Sequence, residues 1–320
     1  MPNAAHDIQP EQTAINAPLN RDIEMFLSTC EMLEIDFDFG LTQLNAYLQD
    51  LMFLQAGGKY KDLGIAQRRL ESRPRIITTT DAATPGSINF VDRWDINDPE
   101  TIIPPNSVAL LKLTGVMRSQ SGISSPGVDR MANDLRSAYS NPNVAGVVIE
   151  TNSGGGETLA GNMLKSAIAE RNKPVVGFGH LVASAAFRAL TGADEIVMSS
   201  EFSEVGSIGT MVQLDTRALS KFRDRVAEFY GSDAPNKNGE LRRALAGDYS
   251  GIQQRVNDLT VQFHNEIKRD RPLRGDADKI KDTLSGKMFD AVEGKRRGLI
   301  DAVGTLPFAV KRVFSLKSKF

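Results

Sequence analysis

Hydrophobic and polar positions divide the chain into three stretches. Residues 1–20 are polar without apolar periodicity, and are expected to form a disordered arm. Over 21–56, apolar residues recur at helical spacing: Ile23, Phe26 and Leu27, then Leu41, Leu44, Leu48, Leu51 and Met52. This spacing predicts two amphipathic helices broken near Asp36–Gly40. Residues 57–106 are rich in Gly, Pro, Thr and Asp, with TTTDAATPGS and NDPETIIPPNS as linker-like punctuation. The helical extension and linker are therefore expected over 21–106.

From Ser107 short apolar, β-branched runs alternate with amphipathic ones. SVALLKLTGVM, VAGVVIETN, KPVVGFG and EIVMS read as buried strands. Between them, residues 128–140, TLAGNMLKSAIAERN and SAAFRALTGA read as helices. Further helices are expected at about 214–229 and from about Tyr249 to Lys268. Strands alternating with helices imply right-handed βαβ units and a mainly parallel sheet. The fold class is α/β, with residues 107–320 as one domain.

Composition changes this picture little. The 320 residues are 41% hydrophobic and 24% charged, with net charge −2. This gives no reason to expect nucleic acid as a partner. Cys30 is the sole cysteine, so neither an intrachain disulfide nor a cysteine-based zinc site is available. The N-terminus lacks a basic n-region and an apolar h-region, and no window approaches the roughly 18 apolar residues of a membrane span. A soluble, cytoplasmic protein without a membrane anchor is the expectation.

Two places could carry chemistry. Asn152-Ser153-Gly154-Gly155-Gly156 joins a strand to a helix, and its glycines let backbone approach a ligand closely. A phosphate loop would want a lysine, but Glu157 and Thr158 follow. A tight turn or an oxyanion hole built from amides remains. A strand, Val175–Phe178, leads into a short turn, and Ser184 then opens a helix of small residues, where open α/β sheets place their sites. It reads either as a nucleophile or as a helix N-cap. A nucleophilic serine needs a base. His6, His180 and His264 lack an obvious triad context. Lysine can serve if burial lowers its pKa. In the eighty or so residues after Ser184 the lysines are Lys221, beside Arg223 and Arg225, and Lys237, in a polar loop.

The stretch from about Val108 to Val313 resembles the signal peptide peptidase A family and its phage relatives, the prohead (head-maturation) proteases. The carrying segments, in order, are VALLKLTGVM, NPNVAGVVIETNSGGGETLAGNMLKSAI, KPVVGFGHLVASAAFRALTGADEIVMSSEFSEVGSIGT and GKMFDAVEGKRRGLIDAVGTLPFAV. The resemblance implies a Clp/crotonase-like core of ββα units and a serine peptidase with a Ser/Lys dyad. Ser184 falls on the nucleophile, and Gly156 and Ala185 on the oxyanion donors, with Gly155 adjacent. Lys237 follows Ser184 by 53 residues, near the family's spacing for its lysine, though the family's G-x-x-K setting is not kept. Gly154 replaces the family's usual proline. Ser207, in GSIG, is an auxiliary candidate or a strand-end turn. The resemblance further implies a protein or peptide substrate, a capsid or scaffold protein among them, a ring or dome homo-oligomer, and no cofactor or metal. The rivals are an acyl-CoA-binding enzyme and a non-catalytic assembly protein on the same fold.

Overall fold

The computed structural model describes residues 33–35, 74–79, 88–91, 102–121, 127–214 and 227–320. In chain order the elements are β1 (Leu33–Ile35), β2 (Arg75–Thr79), β3 (Ile88–Val91), β4 (Ser107–Thr114), α1 (Val128–Ser140), β5 (Val144–Ser153) and β6 (Gly155–Glu157). There follow α2 (Thr158–Ala169), β7 (Val175–Ala183), α3 (Ala185–Leu190), β8 (Glu195–Met198) and β9 (Glu204–Gly206). The remainder holds α4 (Gly239–Leu245), α5 (Ser250–Asp270), α6 (Ala277–Thr283), β10 (Met288–Asp290), α7 (Ala291–Arg297), β11 (Ala302–Val303) and α8 (Leu306–Leu316).

The main sheet runs β10-β9-β7-β5-β4-β2-β3, with β8 also on β7 and β11 on β8. The pairs among β4, β5, β7, β8 and β9 are parallel, while β2, β3 and β10 join antiparallel. The mixed α/β class with a mainly parallel sheet is as the sequence predicts. Alternating residues feed two cores, as expected of strands buried on both faces. Ala109, Leu111, Val147 and Ile149 pack with Leu135, Leu164 and Phe187 of the helices on one face. Val108, Leu110, Val148 and Val176 face α8 through Ala309, Val310 and Val313.

Two expectations for the N-terminal stretch change. Residues 33–35 form a strand where helical spacing was expected, because pairing with the edge of β6 supplies backbone partners that outweigh local periodicity. The linker-like stretch contains β2 and β3, so the sheet begins upstream of Ser107. TTTDAATPGS thus overlaps the connection of an antiparallel pair, where Gly, Pro and Asp serve equally well. The expected helix at 214–229 lies mostly outside the described residues, and 227–229 are not helical.

The carboxyl end of β7 is set by a change of partners. Its first half pairs with β8 (Gly179 opposite Met198) and its last residues with β9 (Ala183 opposite Gly206). On the β5 side the register shifts: Thr151 faces Gly179, but Asn152 faces Leu181, leaving His180 over. A bulge of this kind re-aims a strand end. Phe178 accordingly packs on the α8 side, whereas Val182 packs on the other.

Candidate active site

Ser184 sits at the junction of β7 and α3 with φ 55° and ψ −120°. A non-glycine residue there is strained, typically by about 1–3 kcal/mol, and persists only where its surroundings dictate it. The surroundings are explicit. Ser184 N donates to Gly206 O at 2.9 Å, and Arg188 N donates to Ser184 O at 2.9 Å. Ala183, Ala185 and Ala186 are fully buried. Arg188, only 1% exposed, places its guanidinium 4.1 Å from the Phe263 ring centre and its Nε 3.5 Å from Glu266, tying α3 to α5.

The hydroxyl is the notable group. Ser184 is 1% exposed, and its Oγ has no hydrogen-bond partner among the described residues. A buried hydroxyl without a partner costs about 1–3 kcal/mol. An N-cap serine would accept from an amide of the first turn, and Ser184 makes no such bond. The geometry is a strand–serine–helix elbow, in which the amide after the serine, here Ala185 N, lies at a helix start without an intrahelical partner.

Beside this elbow lies β6, in contact with α3. Met117 N donates to Gly155 O at 2.8 Å, and Glu157 N donates to Met117 O at 3.0 Å. The approach is so close that a Cβ on Gly156 would stand 2.2 Å from Met117 O, which explains a glycine there. Gly155 N donates to Ser153 Oγ at 3.1 Å, and Ser153 Oγ donates to Gly115 O at 2.7 Å. The amides of Gly155 and Glu157 are therefore engaged with Ser153 and Met117, while Gly156, the donor candidate of this loop, faces the edge that β1 pairs with, opposite Glu34. Ser153, fully buried, is a bracing residue that sequence reasoning passed over as one polar letter of a glycine-rich loop.

The other candidates are spread more widely. Ser207 follows Gly206, whose carbonyl holds Ser184, and its own amide donates to Lys287 O at 2.9 Å. Its φ of 52° makes it the turn residue of GSIG. Lys237 is exposed in the loop before α4, its amide donating to Ala234 O at 3.2 Å, and no contact joins it to Ser184. Lys221 lies outside the described residues. His180 is committed elsewhere: Nδ1 lies 2.8 Å from Ser199 Oγ and Nε2 3.2 Å from Glu150 Oε1. His264 Nε2 lies 3.4 Å from Ile208 O, and burial pushes its pKa down, partly offset by that carbonyl. Among the described residues, no helix is long and apolar enough to cross a membrane.

Comparison with known proteins bears on the family rather than on individual residues. A protease-named protein of Methanocaldococcus jannaschii is 29% identical over 181 residues, covering 54% of this chain and 56% of that protein. The chloroplastic serine protease SPPA of Arabidopsis thaliana is 22% identical, covering 64% of this chain and 32% of its own length. Protease 4 of Salmonella typhi is 26% identical, covering 66% and 34%. The chain thus spans about half, or less, of the length of these relatives. Solved structures that align with it include enoyl-CoA hydratases. One enoyl-CoA hydratase/isomerase family member gives TM-score 0.38 at 14% identity, covering 66% of this chain and 71% of the other. The Bacillus anthracis enoyl-CoA hydratase gives 0.37 at 13%, covering 69% and 74%. Residues 167–318 match the family described as Peptidase family S49. The matched segment includes the Ser184 elbow, which is thus similar in sequence to peptidase family S49.

Proposed function

We propose that the chain is a serine endopeptidase working through an acyl-enzyme, with Ser184 as nucleophile and Lys237 as general base. The observation that carries this reading is the strained, buried and unpartnered hydroxyl of Ser184 at a strand–helix elbow inside the S49-matching segment. Neutral Lys237 takes the Ser184 proton as Oγ attacks a peptide carbonyl, and the amides of Gly156 and Ala185 hold the oxyanion. The lysine returns the proton to the leaving amine, then activates water for deacylation. Ser207, next to the carbonyl that fixes Ser184, is the candidate to orient the lysine.

A lysine serves as general base where water is excluded from it, and Lys237 is exposed in this structure. Lys237 therefore needs a cover, and a neighbouring copy of this chain closing over the 227–238 loop is the cover we assign. Substrates are proteins or peptides, capsid or scaffold proteins among them by the resemblance to prohead proteases.

The direct test is reaction with a fluorophosphonate probe, followed by mass-spectrometric mapping. Modification at Ser184 is expected. A folded protein that stays unlabelled and leaves unfolded protein substrates intact would overturn the reading and favour a binding or assembly role.

A further inference from the structure

The strand β6 carries the proposed oxyanion donor, and both of its edges are occupied. On one side Met117 bridges to Gly156 in parallel sense. On the other, β1 runs antiparallel, with Leu33 opposite Glu157, Glu34 opposite Gly156 and Ile35 opposite Gly155. β1 and β6 form a two-stranded sheet separate from the main one. The second edge thus belongs to no other described element.

That edge has what an extended peptide needs. Its backbone groups can pair with an added strand, the mode by which sheet edges take up peptides. It passes Gly156, and the strand that carries it contacts the helix that follows Ser184. A peptide laid there has its own backbone beside the oxyanion donor. We infer that residues 33–35 occupy the substrate edge of β6, as a tethered internal competitor that an incoming peptide must displace. This inference rests on the peptidase reading. Main-chain pairing supplies the attraction, so the segment needs no cleavable sequence. A covalent tether supplies an effective concentration on the order of millimolar, enough to compete with weakly binding peptides. An edge that is free about a tenth of the time raises the apparent KM about tenfold.

The full chain carrying Leu33→Cys and Glu157→Cys, in a Cys30→Ser background, tests the placement. Directly opposed residues on antiparallel strands have Cβ atoms about 4.5–5.5 Å apart, near disulfide reach. The pair is expected to oxidise to a monomeric disulfide, with turnover of a fluorogenic peptide lost and restored by dithiothreitol. The Glu157→Cys single variant corrects for loss of the carboxylate that accepts from Ser119 N at 2.7 Å. Glu34→Pro with Ile35→Pro, which removes two adjacent donors from β1, is expected to lower KM for short peptides about tenfold with kcat unchanged. Failure of the pair to close, a disulfide between two copies, a closed pair that still turns over, or an unchanged KM in the proline variant overturns the inference. An inert, unlabelled wild-type chain overturns the peptidase reading and the inference with it. A labelled, active wild-type chain combined with any of those variant results overturns the inference alone.

Discussion

Ser184 and Lys237 occupy opposite kinds of structure. The serine is buried, held by Gly206 O on one side and by the first turn of α3 on the other, with Arg188 anchoring that helix. The lysine is exposed in a polar loop whose contacts are local turns, such as Ala234 N to Gly231 O at 3.0 Å. The proposed nucleophile is held in place by the fold of a single chain. The base, on the proposed mechanism, becomes competent only when something else removes water from it. On that mechanism a site divided in this way is inactive in the lone chain, and assembly would supply the missing desolvation.

The sharpest way to break this contrast is Ser184→Ala. Peptide turnover is expected to fall on the order of 10⁶-fold, the scale seen when a catalytic serine is removed. Thermal stability should hold or rise, because the change deletes a buried hydroxyl without a partner. Retained turnover in a folded Ser184→Ala protein would remove the elbow from the mechanism.

Lys237→Met comes next. Removal of a general base is expected to reduce kcat by roughly 10²–10⁴-fold, while Lys221→Met leaves it nearly unchanged. Wild-type specific activity should also fall on dilution, as a base completed by a neighbour requires. An active Lys237→Met with a dead Lys221→Met would transfer the base to Lys221. A specific activity independent of concentration would refute the covering copy.

Gly156→Ala probes the donor beside the elbow. The added Cβ would fall 2.2 Å from Met117 O, so the strand must shift and its amide with it. A loss of about 10²–10³-fold in kcat is expected, the range for one oxyanion donor, with KM much less affected. A folded variant with normal kcat would exclude Gly156 from that role.

The smallest effect concerns stability alone. His264 has its pKa held below the ordinary value by burial. In the window below about 6.5 the unfolded chain therefore binds more protons than the folded one. The stability tied to neutral His264 is present above that window and is lost as pH falls into it. His264→Gln should flatten this part of a Tm-against-pH curve. An unchanged acid slope would show that other groups govern it.

The elbow at Ser184 was legible because its signal is local. A strand, a serine and a run of alanines in sequence order already specify an elbow, and the alternation of β4 and β5 specifies the sheet. The N-cap alternative for Ser184 could be settled only by backbone angles and an absent bond. Sequence misjudged what depends on remote partners. Leu33–Ile35 extends because β6 lies open beside it, and helical spacing cannot register that. The stretch before Ser107 reads as a linker because a hairpin connection and an interdomain tether use the same residues. Gly155 looked equivalent to Gly156, and only the Ser153 hydroxyl distinguishes them.

The hold on Ser184 also has a consequence for the timing of synthesis. Gly206 O fixes the serine amide, but β9, which carries Gly206, is itself pinned by β10, and Ser207 N by Lys287 O. Residues 287–290 leave the ribosome long after the serine does. Until they emerge, the last ladder that locks the elbow is missing, and a strained backbone without its braces relaxes. On the proposed mechanism, the nascent chain therefore carries an unbraced Ser184 while it is being made, at the stage when its own unfolded segments lie nearest to it.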